Sequence, residues 1–176
     1  MSTQPVFKSE ESRDAIRTRY NQILSAFPFQ QRYVDTTFGR TFILDAGDAN
    51  RPPLVLLHGS CSNSAFWFGE ISALSSTFHV LAVDILGEAG NSAENRLDLD
   101  SEDYADWLAE VFEACAVKKP VIMGNSLGSW MALRFATKFP ERVERLILLA
   151  PAGLSGIHVE FLEEAKELSQ QEAPDI

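Results

Sequence analysis

Histidine is scarce in this chain: His58, His79 and His158 are the only three in 176 residues. Cysteine is scarcer still. Cys61 and Cys115 form no metal-ligand spacing, and a chain of this length buries a real core without help from disulfides or metal. No long apolar run exists. Pro53–Leu57 and Leu146–Pro151 are the longest, far too short to span a bilayer. Met1 to Asp14 is polar and lacks the apolar stretch of a secretory signal, so the expected location is cytoplasmic. Basic excess is missing too: 15 Lys and Arg face 25 Asp and Glu, a formal charge of −10. That field repels nucleic-acid phosphates and anionic lipid, which excludes nucleic acid and membrane as expected partners. There is no internal repeat, low-complexity tract or linker.

What remains is 45% hydrophobic and 23% charged, ordinary for one globular domain. Residues 1–8 read as a loose leader. From Ser9 to Ala26 the positions Ile16, Tyr20, Ile23 and Leu24 recur at helical spacing. Arg32–Thr37 and Thr41–Ala46 read as two strands around Phe38-Gly39-Arg40. Then four short apolar runs, Pro53–Leu57, His79–Asp84, Pro120–Gly124 and Val143–Ala150, alternate with helical stretches at Ser64–Ser75, Asp103–Ala116 and Leu127–Phe139. Continuous apolar runs are the mark of strands buried on both faces. The alternation predicts an α/β fold, a mostly parallel twisted sheet with helices on both faces. Val159–Gln171 reads as a charged helix.

Gly124-Asn125-Ser126-Leu127-Gly128 fits G-x-S-x-G and lies between an expected strand and an expected helix. That context gives the pattern its meaning. A strained strand-to-helix turn needs small flanking residues and lifts the serine hydroxyl above the strand ends. The helix N-terminus beyond it favours developing negative charge. A tetrahedral intermediate needs two N–H donors, each worth about 3–4 kcal/mol. The backbone of Leu127 supplies one, and the loop after His58-Gly59, through the backbone of Ser60, supplies the other. Ser126 is thus the candidate nucleophile, with Ser60 and Leu127 as the oxyanion hole. Cys61 is a second potential nucleophile with nothing nearby to activate it. His58 is expected to be structural, and Asp84 to anchor its turn. Phe66, Trp67 and Phe68 either line an apolar pocket or form the buried face of their helix.

His58-Gly59, Asp84-Ile85-Leu86-Gly87, the Ser126 motif, Phe139-Pro140-Glu141-Arg142-Val143 and Leu148-Leu149-Ala150-Pro151-Ala152 follow one another in an order that resembles the α/β-hydrolase superfamily. The likeness runs from Thr37 to Gly153. The segments Asp84–Gly87 and Asp103–Leu108 are most similar to the carboxylesterase NP (naproxen esterase) group. The resemblance implies a core over residues 1–153 and the start of a cap over 154–176, with a small-molecule ester as substrate and no cofactor. It also implies a catalytic acid after the sixth or seventh strand and a histidine after the eighth. No acid follows Ala150 directly, His58 and His79 lie on the third and fourth strands, and His158 falls where a cap begins. The expectation is a truncated chain that lacks the final strands and the histidine loop and is nearly inactive alone, because a serine without a base is a poor nucleophile. Its last strand would be a free apolar edge, open to self-association.

Two further readings stand beside the esterase. Asn125 before the serine is also found in hydrolases that cleave carbon–carbon bonds of vinylogous diketones. A catalytically dead binding module would keep the same fold. Serine at the elbow argues against dehalogenase or epoxide chemistry, which uses aspartate there.

Overall fold

Ser9 begins the first helix: its hydroxyl accepts the Ser12 N–H, and Glu10 and Glu11 fill the first turn, where negative charge meets the positive end of the helix. The computed structural model describes residues 5–154. Helix α1 (Glu10–Leu24) stops two residues short of the expected Ala26 and buries Tyr20 and Leu24. Strands β1 (Gln30–Thr36) and β2 (Gly39–Ala46) follow. They pair antiparallel with Thr36 opposite Gly39, so pairing consumes two of the three residues expected in the turn.

Then come β3 (Pro53–Leu57), β4 (His79–Val83), β5 (Val121–Asn125) and β6 (Arg145–Leu149). The helix expected over 64–75 is split. A 3₁₀ turn covers Ser64–Trp67, and α2 runs only from Phe68 to Leu74. The first turn is tightened because the Asn63 side chain accepts the Ala65 N–H and Asp84 accepts that of Ser64. Helix α3 (Asp103–Ala114) is followed by Cys115 as its C-cap and then by Ala116, whose φ is +56°. The Val117 N–H bonds back to Phe112 O and closes the helix in a left-handed cap. Helix α4 (Leu127–Lys138) ends before Pro140.

The six strands are ordered β1-β2-β4-β3-β5-β6. β4, β3, β5 and β6 are parallel, with Leu54 beside both Val80 and Val121, and Ile122 beside Leu146. Because strand side chains alternate, each central strand feeds two cores. Leu54, Leu56, Val80 and Ala82 meet Tyr20, Trp67 and Ile71 from α1 and the α2 region. Val55, Leu57, Leu81 and Val83 meet Trp107, Phe112 and Phe135 from α3 and α4. Full burial of a leucine such as Leu56 contributes about 1.5–3 kcal/mol. The sheet is therefore mostly parallel with helices on both faces.

Among the described residues, β6 forms one edge, and its Ile147 and Leu149 are exposed. No described helix is long and apolar enough to cross a membrane. The expected helix at Val159–Gln171, His158 and all but Leu154 of the expected cap lie outside the described residues.

Candidate active site

Ser126 stands where β5 gives way to α4, with φ +50° and ψ −110°. An L-residue held there costs about 1–3 kcal/mol unless its surroundings enforce it. They do. A methyl group on Gly124 would overlap the backbone of Gly128 and Ser129, and one on Gly128 would overlap the Leu57 carbonyl. Glycine at both positions lets strand, bend and helix close on one another. The Ser126 N–H donates to Leu149 O (2.9 Å), and Ser126 O accepts from Trp130 N (3.1 Å). The Ser129 hydroxyl lies 2.6 Å from Gly124 O and accepts the Leu149 N–H at 3.1 Å. Thus the end of β6 clamps the bend.

Ser126 occupies the N-cap position of α4, yet its side chain makes no capping bond. A serine there normally spends its hydroxyl on the helix. This hydroxyl is left over for other work. The helix has its unpaired N–H groups and positive end directly behind it.

The loop after β3 lies against this bend. A Cβ on Gly59 would sit 3.4 Å from Ser126 Cβ and 3.0 Å from Asn125 Nδ2. Ser60 is exposed. Cys61 adopts φ +55°, and its N–H donates to the Glu88 carboxylate. A cavity of about 630 Å³ opens here, with Ser60, Cys61, Glu88, Leu97, Tyr104 and Leu127 in its wall. Burial pushes the Glu88 carboxyl above its usual range, against the opposing pull of the Cys61 N–H and Arg96.

This arrangement of strand, bend and helix has known counterparts. Residues 52–172 match the family model of the alpha/beta hydrolase fold. The chain belongs to that family. The carboxylesterase YbfK of Bacillus subtilis is 35% identical over 166 residues, which cover 93% of this chain and 56% of the relative. An uncharacterised carboxylesterase of the same organism, nap, is 37% identical over 135 residues, or 76% of this chain and 45% of the relative. The crystal structure of naproxen esterase (carboxylesterase NP) from Bacillus subtilis superposes with a TM-score of 0.83 at 33% identity, covering 93% of this chain and 58% of that one. This α/β-hydrolase chain spans about half the length of the curated relatives it matches.

Within this α/β-hydrolase core the two described histidines, His58 and His79, are occupied. His58 is fully buried. Its Nδ1 lies 2.8 Å from Gly59 O, and its Nε2 accepts the Ile85 N–H at 3.0 Å. One nitrogen must donate and the other accept, which fixes the neutral tautomer with the proton on Nδ1. Desolvation lowers its pKa, only partly opposed by Asp84. His79 lies on β4 beside Pro53 at the start of β3, the opposite end of the parallel strands from Ser126, and is paired with Asp45 at 2.8 Å. Asp84 accepts from Tyr20 Oη, Ser64 N and Asn91 N at 2.8–3.1 Å. It is a junction for three segments, as its position at a strand end suggests.

The aromatic trio does not line the cavity. Trp67 is buried, Phe68 packs on Phe27 at 4.3 Å between ring centres, and Phe66 is half exposed. Leu97, Leu99 and Tyr104 supply the apolar wall instead. Leu97 and Leu99 come from the segment between β4 and α3, which has no periodicity to announce it, and Tyr104 from the first turn of α3. Glu88 was also missed. Its only signal is an acid immediately after the Asp84–Gly87 turn.

Proposed function

We propose that this chain carries the nucleophile and the oxyanion hole of a serine carboxylesterase. The observation that carries the reading is the uncapped Ser126 hydroxyl, held on a strained bend beside the Gly59–Cys61 loop. The similarity to bacterial carboxylesterases supports the substrate class.

In this reading Ser126 Oγ attacks the carbonyl carbon of an ester. The C=O electron pair moves onto oxygen, which the Ser60 and Leu127 N–H groups stabilise. Collapse of that intermediate expels the alcohol and leaves an acyl group on Ser126, and water attacks next to release the acid. The serine proton needs a base. His58 has committed both ring nitrogens, and His79 is at the wrong end of the sheet. The imidazole and its carboxylate partner are therefore drawn from residues outside 5–154.

A p-nitrophenyl ester has a good leaving group and needs no acid to expel it, so its acyl transfer asks only for the serine, its amides and a base, a part that hydroxide plays slowly at alkaline pH. Incubation followed by intact mass measurement is expected to show one added acyl group, mapping to the peptide of Ser126. Acylation elsewhere, or undiminished acylation in Ser126→Ala, would overturn the proposal.

A further inference from the structure

Cys61 is held in a left-handed conformation, and the side chain itself is exposed. Packing of its own thiol therefore does not hold the bend. What touches its backbone is the Glu88 carboxylate, which takes the Cys61 N–H. Such a bend sets the direction of the peptide unit before it, and that unit leads back to the Ser60 amide assigned to the oxyanion hole.

Glu88 is an unusual choice for so small a task. It is 8% exposed, and burial of a carboxylate is costly when a solvated amide needs no partner at all. Around it stand Arg96, whose Nε donates to Gly87 O at 2.9 Å, and Tyr104, whose hydroxyl accepts the Leu97 N–H at 3.3 Å. Neither gives Glu88 a side-chain hydrogen bond among those of the described residues. Two more bonds join the same two loops: Asn63 Nδ2 to Ala89 O at 2.9 Å and Ser64 N to Asp84 Oδ1 at 2.8 Å. The Glu88 loop is braced in turn from α1, where Arg17 donates to Gly90 O and Ser92 O, each at 3.1 Å. The oxyanion loop thus rests on a second loop fixed to the N-terminal helix.

We propose that Glu88 is a positioning residue, a latch that holds the Cys61 amide and so aims the Ser60 N–H at the oxyanion beside Leu127. The inference rests on the esterase reading of Ser126. Glu88 does not touch the reacting atoms. It acts through the loop it holds.

The test compares Glu88→Ala and Glu88→Gln with the parent chain in three measurements. Phosphonylation of Ser126 by a fluorophosphonate probe builds an oxyanion and reads the paired amides. Amide hydrogen exchange over residues 59–62 reads the loop, and Tm reads the fold. Glu88→Ala is expected to slow phosphonylation about tenfold or more, since losing a whole donor costs about 10²–10³. It is also expected to speed exchange at Cys61. Glu88→Gln keeps an acceptor oxygen and is expected to recover most of both losses at similar Tm. A parental phosphonylation rate in Glu88→Ala, or a loss no larger than its loss of folded protein, overturns the latch. So does unchanged exchange at Cys61, whether or not the probe reacts. Labelling that persists in Ser126→Ala points to the esterase reading as the error, and the exchange data then judge the latch alone.

Discussion

Leu56 and Leu149 belong to parallel strands of one sheet, and their surroundings could hardly differ more. Leu56 on β3 is fully buried, with helices above and below its strand. Leu149 on β6 is 42% exposed, and only its neighbours Leu146 and Leu148 reach a helical layer. The centre of the sheet is a finished core. The β6 flank is held more by its backbone ladder with β5 than by side-chain packing. Yet this thinner flank anchors the site, because Leu149 O takes the Ser126 N–H and Leu149 N bonds Ser129 Oγ. The chemistry proposed for Ser126 would therefore sit at the join between a rigid centre and a partly covered edge.

The sharpest test of that contrast is a pair of truncations. Leu56→Ala is expected to cost about 2–5 kcal/mol through lost burial and a cavity. Leu149→Ala should cost about 1 kcal/mol or less because part of its surface is already wet. Urea unfolding of both variants measures the gap, and equal losses would erase the distinction.

Acid is expected to act on the centre through His58. His58 is kept neutral in the folded state by desolvation, whereas in the unfolded chain it titrates near about 6.5. A depressed folded pKa means that its contribution is fully present above that value and lost as the pH falls below it. Unfolding midpoints are expected to drop between pH 7.5 and 5.5, and His58→Gln should flatten that slope.

A smaller effect, of opposite sign, is expected at the join. Ser126→Gly removes the strain of a left-handed serine and should raise stability by about 1 kcal/mol while abolishing acylation. A drop in Tm would show that the bend is not strained. The smallest change in stability is expected at the edge. Ile147→Lys should stay within about 0.5 kcal/mol of the parent. It should also reduce the self-association we propose for a second copy of the chain pairing along Arg145–Leu149, which is an apolar edge among the described residues and so a template for another strand. Size-exclusion chromatography at rising concentration checks this, and a monodisperse monomeric parent would contradict it.

The parallel strands were plain in the sequence because burial on both faces leaves uninterrupted runs such as Leu54–Leu57 and Val80–Val83. The bend at Ser126 was equally plain, since its sterics demand glycine at 124 and 128. The wall of the cavity was not. Leu97 and Leu99 are brought beside Ser60, Cys61 and Leu127 by a loop whose path depends on tertiary hydrogen bonds, among them Arg96 to Gly87 and Leu97 to Tyr104 on α3. The aromatic residues 66–68 carried an ambiguous signal, because large apolar side chains suit a pocket and a core alike. The structure assigns Trp67 and Phe68 to the core through contacts with the other sheet face, which no local spacing encodes.

The central claim is that one hydroxyl on this chain is built to attack. Exposing the protein to a fluorophosphonate, digesting it and mapping the adduct tests that directly. A single, even slow, adduct on Ser126 that vanishes in Ser126→Ala is the predicted result. Modification of Cys61 or another serine in its place, or an adduct that persists in Ser126→Ala, would contradict the account.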